Sequence, residues 1–145
     1  MTDVTLVLAK LTTLREHTDR MERRRSASIE EFRTDADRQD ALALSLMVAL
    51  QEGADIALHI AADEGWGIAS SYAESFDLIA RHGVITSELA RRVAGVASLR
   101  NRLAHGYGTT DFERIWLEVP NGVAALREFA GAIAAYVGPR PDALR

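Results

Sequence analysis

A chain of 145 residues with 48% hydrophobic and 26% charged residues can bury a core of its own and is too apolar to be disordered. Its 17 Lys and Arg against 21 Asp and Glu leave a net charge of −4, which excludes a polycation coating nucleic acid over its whole surface but leaves a local basic site open. The absence of cysteine excludes disulfides, thiolate catalysis, cysteine-ligated zinc and iron–sulfur clusters. The longest strongly apolar stretch, Ala41 to Leu50, contains Ser45 and is short of a membrane span, and no basic region followed by an apolar run opens the chain. The expectation is a cytoplasmic protein with no membrane partner.

The three prolines all lie at or after Pro120, and Ala and Leu are abundant, so the chain reads as helical throughout. Asp3 is an N-cap for a first helix running to about Arg23, with Val4, Val7, Leu11, Leu14 and Met21 on one stripe. The charged segment Met21–Ser26 reads as a break. Ser28 and Glu31 form a capping box for a start at Ile29, and Asp35 or Asp37 caps a long helix to about Asp63. On that helix Leu44, Met47, Leu50 or Gln51, Ala54, Leu58 and Ala61 are expected on the core side, widened by Leu46, Val48 and Ile60. Glu64-Gly-Trp-Gly67 is a loop. Ser71 and Glu74 open a third helix carrying Tyr72, Phe76, Ile79 and Ala80, which ends at Gly83 in the left-handed region. Thr86 or Ser87 opens a fourth, with Leu89, Val93, Val96, Leu99 and Leu103 inward, which ends at Gly106 and Gly108. Thr110 and Glu113 predict a short helix with Phe112, Ile115 and Trp116, and Pro120 predicts the first turn of a separate last helix with Val123, Leu126, Phe129, Ile133 and Val137. The fold class is therefore an all-α, up-and-down bundle of four to five helices over residues 1–138, followed by a short tail at 139–145.

The densest cluster of chemistry-bearing residues is Arg100-Asn101-Arg102-Leu103-Ala104-His105-Gly106-Tyr107. Each type suits RNA. Arginine offers a permanently charged planar fork to phosphate oxygens, and histidine takes or gives a proton near neutral pH. RNA brings its own nucleophile, the 2′-hydroxyl, so no metal or other cofactor is needed. Arg100 and His105 are five residues apart, which on a regular helix separates their directions by about 140° and their heights by about 7.5 Å. Either the helix is distorted near His105, or a second copy of the chain completes the site. Asn101 lies four residues before His105 and on its face, where it can orient the imidazole or hold substrate. The same residues also permit a bland reading: a histidine serving the helix dipole, arginines on a solvated face, and a packed tyrosine.

The segment Arg100–Tyr107 resembles the R-x4-H-x-Y motif of the HepT-like toxins in the HEPN superfamily of helical ribonucleases. Ser71-Tyr72-Ala73-Glu74-Ser75-Phe76 is similar to that family's third-helix start, and Gly83-Val84-Ile85, Ile115-Trp116, Leu126 and Phe129 also fit, so residues 40–137 overlay. Ala69-Ser70 stands where the family often has a proline, and Gly108 where it often has a larger residue. The resemblance implies a HEPN-like fold and a metal-independent, homodimeric endoribonuclease toxin of a toxin–antitoxin pair. It makes Arg100 and His105 the catalytic pair, with Asn101 and Arg102 binding or orienting substrate. It makes Tyr107 the acceptor of AMP from an MntA-like nucleotidyltransferase antitoxin. Two other readings stay open: a non-catalytic module that docks a nucleotidyltransferase, and a nucleotide-binding helical dimer.

Elsewhere, Asp55, His59 and Asp63 share a helical face at four-residue spacing, but a helical ion or hydrogen-bond pair accounts for them better than a metal site. His17 and His82 read as solvated or capping. Arg23-Arg24-Arg25 reads as an exposed loop open to RNA or a partner, and Trp66 and Trp116 as core or interface residues.

Overall fold

The computed structural model describes residues 2–105 and 111–138, with 104 and 105 in their backbone alone. It contains α1 (Val4–Arg25), α2 (Ile29–Thr34), α3 (Ala36–Asp63), α4 (Tyr72–Arg81), α5 (Ser87–His105) and α6 (Phe112–Val137), with no strand among the described residues. Each helix starts where a side-chain oxygen takes up an orphan backbone N–H three residues on. Asp3 accepts from Leu6, Ser28 from Glu31, Asp35 from Arg38, Ser71 from Glu74, Thr86 from Leu89 and Asp111 from Arg114. Of the three expected capping boxes, those at Ser28 and Ser71 are half-formed, and Thr110 of the third lies outside the described residues. The Glu31 carboxylate goes to Ser26 and Arg38, and that of Glu74 to the backbone and hydroxyl of Ser70. Gly83, at φ 80°, closes α4 with the paired bonds Gly83 N–H to Ala80 and Val84 N–H to Ile79, as its position predicts.

α3 is the central helix. It packs against α1, α4 and α5, while α6 lies on α1 and α5 and α2 bridges α3 and α6. A Cβ at Gly53 would touch Leu14 of α1, Phe76 of α4 and Phe129 of α6 at 3.5–3.7 Å, so three helices converge there. Phe76 and Phe129 meet edge-on at 5.6 Å beside it. The core side of α3 matches the expectation at Leu46, Leu50, Ala54, Ile60 and Ala61 and departs from it at Leu44 and Met47. Leu42, Leu46, Ala49, Leu50, Ile56, Ala57 and Ile60 are buried, whereas Leu44 is 52% and Met47 37% exposed. Apolar residues nearly surround this helix, so periodicity alone selects no unique face. By length and composition α3 could cross a membrane, which the ten-residue stretch 41–50 conceals, but half of that span is buried in the bundle.

The largest departure from the sequence reading is at Pro120. The expected short helix and separate last helix are one continuous α6, capped by Asp111 rather than Thr110, with Pro120 inside it. An interior proline removes the N–H that would reach the carbonyl four residues back, here that of Trp116. Arg25 supplies the missing donor: its Nε lies 2.6 Å from the Trp116 carbonyl oxygen. Its guanidinium carbon also stacks 3.7 Å over the Trp116 ring, whose Nε1 donates to the Ser26 carbonyl at 3.0 Å. Arg24 donates to the Ser45 hydroxyl at 2.8 Å and the Ala41 carbonyl. The arginine run therefore continues α1 and ties it to α3 and α6, and the expected exposed loop is not there.

Arg25→Ala is expected to cost about 2 kcal/mol in chemical denaturation, from a charged hydrogen bond and a cation–π contact. In a Pro120→Ala background the restored N–H can take the Trp116 carbonyl, so the penalty should shrink. An equal penalty in both backgrounds would disprove the account.

Candidate functional site

α5 carries the candidate residues, and its burial pattern sorts them. Leu89, Ala90, Val93, Val96 and Leu99 are buried against the bundle. Arg91, Gly95, Ser98 and Asn101 are exposed at three- and four-residue spacing, a stripe whose next register position is His105. Arg100 and Arg102 are half-buried on the flanks. α5 is an unbroken α-helix through His105, its last residue. Among the described residues, then, no break in α5 separates Arg100 from His105.

The structure brings Arg100 and Asn101 together: Arg100 Nη1 donates to Asn101 Oδ1 at 3.1 Å. Asn101 was expected to orient the imidazole or hold substrate, and among the described residues its Oδ1 accepts from Arg100. Arg102 turns the other way, toward α6, where its Nη2 pairs with Glu118. Arg114 Nε reaches the other oxygen of Glu118 at 3.2 Å. The Arg102 hydrogen bond, helped by Arg114, holds the Glu118 carboxyl below the usual carboxylate range. One turn of α6 is thereby tied to the last turns of α5, on either side of the segment 106–110. That segment holds Tyr107 and lies outside the described residues, as does the side chain of His105.

Arg92, Arg102 and Arg114 also line a groove of about 490 Å³ between α5 and α6. Arg114, Glu118 and Asn121 were not singled out in the sequence. The Arg114–Glu118 pair at i,i+4 was a visible signal, but its meeting with Arg102 depends on how α5 and α6 pack.

The other candidates resolve as packing and ion pairs. Asp55 and Glu52 pair with Lys10 at 3.4 and 3.5 Å, and Asp63 accepts from the backbone of Asp3. No group of three or more metal-ligating side chains occurs among the described residues. His82 is the C-cap of α4 and stacks on Trp66 with ring centroids 4.2 Å apart. His17 is half-buried beside Arg20. Burial, and then that neighbouring charge, lower its pKa.

A family model described as ribonuclease HepT-like matches residues 14–133, from α1 almost to the end of α6. The chain belongs to that family. The match extends the resemblance seen at 40–137 back into α1. The HepT-like chain is 29% identical over 105 residues to the mRNA nuclease HepT of Shewanella oneidensis, covering 72% of this chain and 79% of that one. It is 24% identical over 114 residues to the tRNA nuclease HepT of Aphanizomenon flos-aquae, covering 79% and 78%. Its fold is similar to a solved tri-AMPylated Shewanella oneidensis HEPN toxin in complex with MNT antitoxin. The TM-score is 0.81 at 26% identity, over 93% of this chain and 99% of that one. The all-α HEPN-like fold expected from the sequence is thus the fold of this HepT-like chain.

Proposed function

We propose that this chain is a metal-independent endoribonuclease toxin acting in the cytoplasm as a homodimer. In this reading an MntA-like nucleotidyltransferase antitoxin neutralises it by adding AMP to Tyr107. The observation that carries the dimeric site is the unbroken course of α5 through Arg100 and His105. On one straight helix those two residues diverge by about 140°, so a single chain does not aim both at one phosphorus. Two chains related by a two-fold axis, meeting at the C-terminal turns of α5, place two Arg–His pairs around one cleft. Membership in the HepT-like family, and the nuclease names of the Shewanella and Aphanizomenon relatives, support RNA as the substrate. The AMP-bearing toxin–antitoxin relative supports the neutralisation.

In the reaction, His105 of one protomer takes the proton from the ribose 2′-hydroxyl as its oxygen attacks phosphorus. The bond from phosphorus to the 5′-oxygen breaks, that oxygen leaves with a proton from water, and the imidazolium returns its proton to solvent. Arg100, with its guanidinium plane held by Asn101, stabilises the charge on the phosphoryl oxygens, and Arg102 binds the neighbouring strand.

The products test this directly. Cleavage in excess EDTA should run at the untreated rate and leave 2′,3′-cyclic phosphate and 5′-hydroxyl ends. Loss of activity in EDTA, or ends bearing 3′-hydroxyl and 5′-phosphate, would refute the mechanism.

A further inference from the structure

We propose that the groove between α5 and α6 is a second recognition site for single-stranded RNA, holding the strand beyond the scissile linkage. The inference rests on the ribonuclease reading above and extends it to residues outside the R-x4-H-x-Y motif. The groove starts at Arg102, two residues from Arg100, and runs back along α5 to Arg92, about 15 Å at helical rise. That length accommodates more than one nucleotide. Its hollow exists because α5 presents Gly95 and Ser98 and α6 presents Gly122 where larger side chains would fill it. Cations stand at both ends, Arg92 at one and Arg102 with Arg114 at the other.

The guanidiniums are fixed but not used up. Arg92 gives one Nη to Glu128, Arg102 one Nη to Glu118, and Arg114 its Nε to Glu118. Each arginine has five N–H donors, so most stay available to phosphate oxygens. Three arginines face two glutamates, so the groove keeps a positive balance on a chain of net charge −4. Asn121 of α6 also lines the groove, and its amide can both donate to and accept from a base edge. An anionic strand with polar bases suits this lining. An apolar partner helix would bury the remaining donors of Arg102 and Arg114 and the Asn121 amide without partners.

The test uses full-length His105→Ala protein and a ten-nucleotide single-stranded RNA, with affinity measured across a salt series. The plot of log affinity against log salt should lose about 0.7 in slope per phosphate contact removed. Arg92→Gln with Arg114→Gln should therefore flatten it by about 1.4 and weaken binding roughly tenfold at low salt. A Cβ at Gly95 meets nothing within 4 Å, so Gly95→Leu should fill the groove, leave α5 in place, and weaken binding about tenfold with every arginine present. Arg81→Gln, which removes a charge paired with Asp77 on α4, should leave affinity and slope as in the parent.

Equal slopes in the parent and the double variant would overturn the proposal. So would Gly95→Leu converting a dimer to a monomer, since the groove would then be a subunit interface. If the unsubstituted chain cleaves RNA and the His105→Ala parent binds it while the groove variants bind equally well, only the groove fails. If the parent neither binds nor cleaves RNA, the ribonuclease reading falls with it.

Discussion

Replacing His105 with alanine is expected to slow RNA cleavage by about a thousandfold, the loss of a positioned proton carrier. Arg100→Ala should cost about a hundredfold or more, the usual loss when one preorganised donor to a developing anion is removed. Arg100→Lys should not restore the rate, because a point charge replaces the planar fork that Asn101 holds at 3.1 Å. Asn101→Ala should fall between these variants and the parent, since it frees the guanidinium without removing it. Single-turnover cleavage of a labelled single strand measures all four, with circular dichroism confirming that each variant folds. In cells, the His105 and Arg100 alanine variants should also relieve any growth inhibition caused by the parent. The composite cleft adds a sharper result: mixing Arg100→Ala chains with His105→Ala chains should recover part of the lost activity. The mixed dimer still brings one arginine and one histidine to the cleft. Cleavage persisting in both single variants would remove the assigned pair, and a mixture as inactive as its components would remove the shared cleft.

The helices were legible where local chemistry decides them. Asp3, Ser28, Asp35, Ser71 and Thr86 cap as their side chains predict, because an N-cap needs only the residue itself and an N–H three positions on. Gly83 was legible for the same reason. What failed depended on distant chain. Pro120 reads locally as a helix start, and only Arg25, ninety-five residues earlier in sequence, makes an interior proline tolerable by taking up the Trp116 carbonyl. The arginine run looked like a solvated loop because its three acceptors, on Ala41, Ser45 and Trp116, belong to other helices.

The stripe on α3 was legible at Leu46, Leu50, Ala54, Ile60 and Ala61 and failed at Leu44 and Met47. Leu44 and Met47 are as apolar as Leu42 and Leu46, so no sequence contrast chose between the faces, and packing against α1, α4 and α5 made the choice.

The candidate site divides along the same line. The identities of Arg100, Asn101 and His105 came from a contiguous motif. The turning of Arg102 away from them came from Glu118, sixteen residues on and across the interface of α5 with α6. One guanidinium of the motif thus serves the proposed scissile phosphate, while the other opens onto the α5/α6 groove.

Neutralisation is the second large effect. A partner nucleotidyltransferase supplied with ATP is expected to raise the mass of this chain by one or more AMP units and to lower its cleavage activity about tenfold or more. In the proposed switch, the phenolic oxygen of Tyr107 attacks the α-phosphorus of ATP, pyrophosphate leaves, and the phenolic proton is lost to solvent. The new phosphodiester carries a negative charge two residues beyond His105 at the end of α5. There it competes with the RNA phosphate for Arg100, and the adenosine takes up space in the cleft. The decisive measurement is the ratio of activity with and without the active partner. It should fall steeply for the parent chain and stay near one for Tyr107→Phe, with peptide mass spectrometry placing the AMP on Tyr107. A partner variant unable to bind ATP separates modification from docking. If that variant silences the toxin as well as the active enzyme does, the two proteins act by occlusion, and AMP transfer to Tyr107 is not the switch.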